Sequence, residues 1–301
     1  MKPGTPEAEA DIDRDLVGRL LADQYPDLAG EPLHPGANGW DNVTWRLGES
    51  LAVRLPRRAV AAQLIRNEQR WLPAIARRVS VPIPEPVRTG TPGAGYPWPW
   101  SIVPWIPGET AVRRPLAPTE AAAFGRFLRE LHEEAPSEAP DNPFRGVPLT
   151  GREAGFLERM ERLEQMSGAS ETALRCARHV FAAGLDAEAC GCEVWLHGDL
   201  HPKNVLTLDG RLAGVVDWGD LTGGDPATDL AAAWMHFPPQ VHATLWRAYG
   251  LPSRHTLARA RAWAALFGVI FLDTGLADDP AFVEVGRTTL RRLVTPDSHQ
   301  A

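Results

Sequence analysis

The sequence contains little of what usually assigns a chain to a class at once. Its 301 residues include only three cysteines, Cys176, Cys190 and Cys192. An odd number of cysteines with a Cys-Gly-Cys pair matches neither a disulfide framework nor the spacing of a zinc site. We therefore expect three incidental thiols in a reducing compartment.

An excess of basic charge is also missing. The formal net charge is −7, which argues against nucleic acid as the main partner, because phosphate backbones attract basic surfaces. A mildly acidic surface is compatible with a cationic ligand, although it more commonly serves solubility.

Long hydrophobic runs are absent too. The longest apolar run, residues 262–272, is too short to span a bilayer and is flanked by Arg261 and Asp273. The first seven residues lack the basic and apolar regions of a signal peptide. We expect no membrane partner, a cytoplasmic location, and a buried helix at 262–272.

The most informative segment lies at residues 195–220. It begins Trp-Leu-His-Gly-Asp-Leu-His-Pro-Lys-Asn-Val-Leu and later contains Val-Asp-Trp-Gly-Asp. Asn204 follows Asp199 by five residues, and Asp217 follows Asn204 by thirteen. A phosphoryl-transfer loop needs an Asp that accepts a hydroxyl proton, an Asn for magnesium, and a second Asp for magnesium beyond a short hairpin.

The residue types suit that chemistry. Magnesium takes oxygen ligands, so a carboxylate and an amide oxygen are appropriate. Residues 205–208 and 212–216 are apolar enough for short strands, and Asp209-Gly210 between them is a hairpin signal. The hairpin would carry Asp217 back beside Asn204.

A second interpretation of the same segment is a metal-binding strand of a hydrolase, with His197, Asp199 and His201 as ligands. It leaves Asn204 and the hairpin unexplained. We expect His197 to be structural. His201 could orient the loop or touch substrate, and Lys203 could approach the γ-phosphate or be an exposed loop lysine.

Two blocks of the chain resemble the aminoglycoside phosphotransferase family, which also contains choline-kinase-like enzymes. They are His197–Leu206 and Gly224–Ala231, and the resemblance continues more weakly upstream to about Gly36. It implies an α+β, bilobal, protein-kinase-like fold with a β-rich N-terminal lobe and a mainly helical C-terminal lobe. It also implies nucleotide-dependent phosphorylation of a small hydroxylated molecule.

The resemblance assigns the central roles. Asp199 would be the catalytic residue, and Asn204 and Asp217 would hold Mg²⁺. Where the family has a phosphate-binding lysine, this chain has Arg54, and Glu68 would pair with it. The exchange is not trivial because arginine and lysine differ in geometry and hydration, yet arginine can bind phosphate in a forked manner. From the residues alone, Arg54 and Glu68 could also form an ordinary surface ion pair of little energetic value.

Further nucleotide contacts are expected from two segments. Gly36 and Asn38 lie in a loop of small residues between two predicted strands, which could lay backbone N–H groups over phosphates. This loop lacks the Gly-x-Gly-x-x-Gly pattern, and an ordinary hairpin would look similar. Val103 directly precedes the expected hinge and Trp105 falls within it, and backbone groups of this segment would bind the purine.

We expect a nucleotide-binding lobe at 1–103, a hinge at 104–107 and a helical lobe at 108–301 with the substrate site. The proline-rich stretch 79–100 should be extended. Apolar periodicity predicts helices at 11–25, 60–78, 118–132, 151–165, 171–184, 226–237, 239–248, 256–276 and 280–293. Acceptor-binding residues are expected within 136–170 and 235–260.

The donor would be ATP or GTP. The favoured role is inactivation of an antibiotic such as an aminoglycoside or macrolide. Kinases of choline, homoserine or sugars use the same loop, so a metabolic kinase is the alternative. A nucleotide-binding pseudokinase is a third possibility, favoured only by Arg54.

Overall fold

The computed structural model describes residues 7–166 and 170–295, apart from the side chains of Ala37, Asn38 and Asp278. The described chain divides into two compact units. The N-terminal unit runs to Pro107 and also takes in Gly214–Gly219. The helical unit contains Gly108–Ala213 and the described residues from Asp220 onward. The functional roles expected of residues 1–103, 104–107 and 108–301 stay a prediction.

The N-terminal unit is built on one antiparallel sheet. Its elements are α1 (Arg14–Gln24), β1 (Leu33–Asn38), β2 (Asn42–Leu47), β3 (Leu51–Pro56), α2 (Ala59–Ala76), β4 (Arg88–Gly90) and β5 (Trp100–Pro104). The strands lie in the order β1-β2-β3-β5-β4. In β2–β3 the register pairs Thr44 with Arg54, and in β3–β5 it pairs Arg54 with Ser101.

Strand alternation gives this sheet two different faces. Val53 and Leu55 are fully buried in an apolar cluster that includes Leu20 and Val17 of α1. Because successive side chains of a strand point to opposite faces, Arg54 between them faces the other way, where α2 packs on β3 and β5. The sheet therefore has an apolar face and a face that carries a buried charge.

The helical unit follows. Its elements are β6 (Glu109–Thr110), α3 (Ala121–Leu131), α4 (Glu153–Gln165), α5 (Glu171–Leu185), β7 (Val194–Leu196), β8 (Val205–Leu208), β9 (Arg211–Val215), β10 (Thr222–Gly224), α6 (Ala227–Leu230), α7 (Ala232–His236), α8 (His242–Tyr249), α9 (Arg254–Asp278) and α10 (Pro280–Val294). Strands β10 and β7 pair antiparallel, and β6, β8 and β9 form a three-stranded sheet in that order.

Helix α9 is the centre of the helical unit. It packs against α10, α5, α6, α4 and α7, and the predicted burial of residues 262–272 is confirmed by side chains such as Trp263, Phe267 and Leu272. Among the described residues, Arg254–Ala277 is long and apolar enough to cross a membrane by composition, but 67% of its most apolar window is buried within the fold. A core helix passes the same test.

The α+β class predicted from the resemblance is confirmed. Of the predicted helices, most occur within a few residues of the expected bounds, and 226–237 is divided into α6 and α7 at Ala231. The expectation of three free thiols is wrong. Cys190 and Cys192 form a disulfide with Cα atoms 5.3 Å apart, a separation within the range that the bond allows, and only Cys176 is free.

Helices α9 and α10 approach so closely that a side chain at Gly286 has no room. A Cβ atom there would lie 2.6 Å from the backbone nitrogen of Leu272 and 2.7 Å from the carbonyl oxygen of Gly268. Both are backbone atoms of α9, so neither can move aside alone. We expect Gly286→Ala to lower the free energy of unfolding by roughly 1–3 kcal/mol, measured by urea titration.

Gly155 offers a matched control on α4, because a Cβ there would meet nothing within 4 Å. Gly155→Ala should raise stability by about 0.5–1 kcal/mol through helix propensity. Equal effects of the two substitutions would contradict the close approach of α9 and α10.

Candidate functional site

The loop between β7 and β8 is held by one buried carboxylate. Asp229 is 1% exposed and accepts hydrogen bonds from the backbone N–H groups of His197 at 2.7 Å and Gly198 at 2.8 Å. These two hydrogen bonds fix the backbone of the loop at His197 and Gly198.

Gly198 is required by the same geometry. Its φ of +83° lies in the region that side chains rarely adopt, and a Cβ would lie 2.7 Å from the carbonyl oxygen of Asp220. The loop can therefore turn here only with glycine, and the turn places Asp199 directly after the anchored residues.

Both carboxylate oxygens of Asp199 are engaged. Oδ1 accepts a hydrogen bond from Nη2 of Arg145 at 3.0 Å. Oδ2 lies 3.2 Å from Nε2 of His201 and 3.3 Å from Nδ2 of Asn204. These contacts fix the carboxylate, and because one-fifth of the side chain is exposed, a small molecule can still reach it from solvent.

Competing influences act on the pKa of Asp199. Burial raises it, whereas His201, Arg145 and His197 lower it, and the net effect holds the pKa of this carboxyl well below its usual range. Asp199 is therefore ionised at neutral pH and can accept a hydrogen bond from a hydroxyl group.

The structure brings Asn204 to Asp199, as the five-residue spacing suggested. Its amide nitrogen donates to the backbone carbonyl of Asp199 at 2.9 Å as well as to the carboxylate. No described group donates to the amide oxygen of Asn204, so this oxygen is the atom left for a cation.

The histidines of the loop have structural contacts. Nδ1 of His197 accepts from the backbone of Asp199, and Nδ1 of His201 accepts from the backbone of Lys203, both at 3.2 Å. Within residues 7–166 and 170–295, no group of three or more His, Cys, Asp or Glu side chains is arranged to hold a metal. The hydrolase interpretation therefore finds no three-ligand set of that kind.

Lys203 has a partner that the sequence did not suggest. Its Nζ atom forms an ion pair with Asp279, the N-cap residue of α10, and lies 3.9 Å from the centre of the Phe282 ring. The lysine thus ties the loop to α10. Lys203 is therefore not an unpaired surface lysine. To reach another partner, its side chain would have to break the ion pair with Asp279.

The N-terminal unit assembles a second charged group. Nη1 of Arg54 on β3 donates to Oε2 of Glu68 on α2 at 2.6 Å, and the two side chains are 8% and 0% exposed. The interpretation as a surface ion pair is therefore wrong. Nη2 of Arg54 also lies 3.4 Å from Oδ1 of Asp217, so three predicted site residues meet here.

Asp217 has an unusual backbone conformation. Its φ is +60°, a left-handed value that costs energy in a residue with a side chain and is common at functional sites. Hydrogen bonds hold the residues on both sides of Asp217. The backbone N–H of Val215 donates to the carbonyl oxygen of Pro82 at 3.0 Å, and Nε1 of Trp218 donates to the carbonyl oxygen of Val215 at 3.1 Å. The carboxylate itself is 51% exposed.

The pKa of the Glu68 carboxyl group is raised above its ordinary value. Burial raises its pKa, the charge and hydrogen bond of Arg54 lower it, and the charge of Asp217 raises it, so that the net pKa is about 7. Its Oε1 atom is buried and has no hydrogen-bond partner among the described residues. In the nucleotide-free protein at neutral pH, the protonated and ionised forms of Glu68 are therefore both populated.

The remaining predicted nucleotide contacts lie in the same unit. Gly36 and Asn38 lie in strand β1 and not in the loop that was expected. A Cβ at Gly36 would come 2.6 Å from the carbonyl oxygen of Thr44, and the side chain of Asn38 is outside the described part of the chain. Val103 pairs with Ala52 in the sheet. The backbone N–H of Trp105 donates to the carbonyl oxygen of Ser50 at 2.8 Å.

Arg145 is the site residue that sequence reasoning missed. It lies in the loop between α3 and α4 and reaches Asp199 across 54 positions of sequence. The range 136–170, in which acceptor-binding residues were expected, contains Arg145 but does not single it out. The one local signal is Asn142-Pro143-Phe144-Arg145-Gly146, an arginine inside turn-forming residues.

Comparison with known proteins identifies the family of the chain. Residues 33–265 match the model of the phosphotransferase enzyme family, which is most of the chain. Over 54 residues the chain is 52% identical to viomycin phosphotransferase from Streptomyces vinaceus. That match spans 17% of this chain and 19% of the relative, so it covers only about a fifth of the curated protein.

Solved structures share the fold over nearly the whole chain. The GDP complex of wild-type aminoglycoside 2'-phosphotransferase-IIIa matches with a TM-score of 0.67 and 18% identity, covering 94% of this chain and 99% of that one. The macrolide 2'-phosphotransferase MphH from Brachybacterium faecium matches with a TM-score of 0.59 and 22% identity, covering 92% and 98%. At these identities the likeness shows the fold alone.

The raised pKa of Glu68 has a consequence for stability. Its folded-state pKa of about 7 lies above the ordinary value of 4.5, so the folded protein binds more protons than the unfolded chain between these values. Stability from this group is fully present below pH 4.5 and is lost as the pH rises through 7. We expect Glu68→Gln to flatten the fall in unfolding free energy between pH 5 and 8 by roughly 3 kcal/mol.

The measurement is urea unfolding of nucleotide-free protein across that pH range. Glu161→Gln on the exposed face of α4 is the control and should keep the wild-type slope. An unchanged slope in Glu68→Gln would show that Glu68 titrates like an exposed carboxyl.

Proposed function

Since the chain belongs to the phosphotransferase enzyme family, we propose that it transfers the γ-phosphoryl group of ATP or GTP to a hydroxyl of a small molecule. The observation that carries this proposal is the state of Asp199. An ionised carboxylate is fixed at both oxygens and remains one-fifth exposed, which is what a group that orients a hydroxyl requires.

In this mechanism Asp199 accepts a hydrogen bond from the acceptor hydroxyl and takes its proton as the phosphoryl group is transferred. A strongly basic carboxylate is not needed, because proton transfer can be late in a loose transition state. The lowered pKa of Asp199 is compatible with this role. The contribution of the protein is positioning and charge stabilisation.

Magnesium fits the residues present. Asn204 has an amide oxygen to which no described group donates, and Asp217 has a half-exposed carboxylate whose one ion-pair contact, to Arg54, is 3.4 Å long. Both are hard oxygen ligands of the kind that Mg²⁺ takes. We assign Asn204 and Asp217 as its ligands, and the ion would supply neutralisation of phosphate charge.

Arg54 is the proposed contact to the α- and β-phosphates. Glu68 holds one end of its guanidinium by a buried 2.6 Å hydrogen bond, and the guanidinium has further N–H donors for phosphate oxygens. In this chain an arginine would therefore replace the lysine of related enzymes without loss of the paired glutamate. Gly36, Asn38, Val103 and Trp105 are the further proposed nucleotide contacts.

The relatives support the proposed classes of donor and acceptor. Structures with this fold include a GDP complex of aminoglycoside 2'-phosphotransferase-IIIa, an ADP-bound APH(2'')-Ib and a kanamycin complex. Together with the partial match to viomycin phosphotransferase, they support a purine nucleotide donor and an antibiotic acceptor, with a metabolic alcohol as the alternative. We further propose that the enzyme acts in the cytoplasm.

The test is phosphate transfer from ATP and from GTP, with Mg²⁺, to a panel of aminoglycosides, macrolides, peptide antibiotics, choline, homoserine and sugars. We expect transfer to one acceptor class. Asp199→Asn should lower kcat by about 10²–10⁴-fold, because it removes the proton acceptor and retains the shape. Asp217→Asn should weaken the dependence of the rate on Mg²⁺.

Asp27→Asn is the matched control, since Asp27 is exposed in the turn that follows α1, and it should retain wild-type turnover. Normal turnover in Asp199→Asn would contradict the role of that residue. Nucleotide binding without transfer to any acceptor would favour a pseudokinase, and the absence of nucleotide binding would overturn the proposal.

A further inference from the structure

We propose that Arg145 is a positioning residue for Asp199, supplied by the loop between α3 and α4 and not by the catalytic loop itself. The inference rests on the proposed function, in which Asp199 accepts the hydroxyl proton. It assigns to the 142–146 loop the task of setting the direction of that carboxylate.

The contacts of Arg145 are specific. Its Nη2 atom donates to Oδ1 of Asp199 at 3.0 Å and lies 3.4 Å from Oδ2 of Asp220. The arginine side chain is 16% exposed, so the ion pair is shielded from solvent. A guanidinium does not lose its proton at any pH at which proteins work, and the contact therefore persists whenever Asp199 is ionised.

Three groups surround the guanidinium: the carboxylates of Asp199 and Asp220 and the aromatic ring of Phe267 on α9. The central guanidinium carbon lies 5.0 Å from the centre of that ring. Asn142 donates to Oδ1 of Asp220 at 2.7 Å and accepts from the backbone N–H groups of Phe144 at 2.8 Å and Arg145 at 3.1 Å. One asparagine thus fixes both the backbone that carries the arginine and the carboxylate beside it.

The loop is anchored at its other end as well. Gly146 has a φ of +68°, and its N–H donates to the hydroxyl of Thr228 at 3.3 Å. Its carbonyl accepts from the backbone N–H of Asp225 at 3.3 Å. Asp225 lies two residues before α6 and Thr228 lies within it. The loop that holds Arg145 and the buried carboxylate that holds the catalytic loop, Asp229, are therefore supported by the same short helix.

The catalytic loop is shaped to receive this arginine. A Cβ at Gly198 would lie 3.1 Å from Cγ of Arg145, so the absence of a side chain there leaves room for it. On the far side of the carboxylate, His201 and Asn204 contact Oδ2. With one oxygen held by Arg145 and the other by the loop, rotation of the carboxylate is restricted, and an acceptor hydroxyl meets an oxygen of fixed orientation.

The first experiment measures kcat and the acceptor KM of Arg145→Ala and Arg145→Lys with the acceptor identified by the transfer panel. We expect Arg145→Ala to lower kcat about 100-fold, the effect of displacing a reacting group by about 1 Å, and to leave the acceptor KM within about threefold of wild type. Arg145→Lys should recover part of kcat, because it keeps the charge and loses the fork.

Arg175→Ala is the matched control. Arg175 lies in the same unit on α5 and donates to Oε1 of Glu171 at 2.9 Å, outside the segments expected to bind the acceptor, and no contact with Asp199 occurs among the described residues. It should keep wild-type kcat. An unchanged kcat in Arg145→Ala, or a raised KM with unchanged kcat, would overturn the proposal, the latter by making Arg145 an acceptor-binding residue.

A second experiment does not depend on activity. Crystal structures of the wild-type protein and Arg145→Ala compare the orientation of the Asp199 carboxylate, which should be single in the first and displaced or multiple in the second. An unmoved carboxylate would overturn the positioning role. If the wild-type protein transfers phosphate to no acceptor, the proposed function fails, and this comparison still decides whether Arg145 positions Asp199.

Discussion

The contact on which the helical unit's site depends is the pair of hydrogen bonds from the loop between β7 and β8 to Asp229. A buried carboxylate is costly unless its oxygens are hydrogen-bonded. Asp229 meets this requirement with the backbone N–H groups of His197 and Gly198 and a 3.4 Å contact to His132, whose other ring nitrogen lies 3.0 Å from the hydroxyl of Tyr249. The carboxylate is satisfied only when the loop has this conformation, so burial of one charge selects the geometry of the loop.

Ion pairs also fix two charged side chains of the predicted site. Asp199 is paired with Arg145, and Arg54 is paired with Glu68, whose side chain is fully buried. Phosphoryl transfer needs little covalent help from the protein and much positioning. A buried ion pair suits that need because its charges cannot move apart without exposing an uncompensated charge to an apolar interior. Glu68, with its pKa raised to about 7, shows that this arrangement has an energetic cost in the nucleotide-free protein.

Much of this could be predicted from the sequence. Apolar periodicity located α1, α5, α9 and α10 because helix burial is a local pattern, and the Asp209-Gly210 turn located the β8–β9 hairpin. The errors arose where the outcome depends on partners. Cys190 and Cys192 form a disulfide that their spacing did not suggest. The Arg54–Glu68 pair is buried by the packing of α2 on the sheet, a fact that neither residue encodes locally.

By itself the sequence determined the identity and order of Asp199, Asn204 and Asp217, because five residues of a tight loop suffice to bring the Asn204 amide to the Asp199 carboxylate. Tertiary structure alone decided that Arg145 would bind that carboxylate and that Asp279 would bind Lys203. These partners are 54 and 76 positions apart and lie on segments without a shared pattern. Contacts of that separation form only when the helices and the sheet have packed, because packing is what brings distant loops within hydrogen-bonding distance.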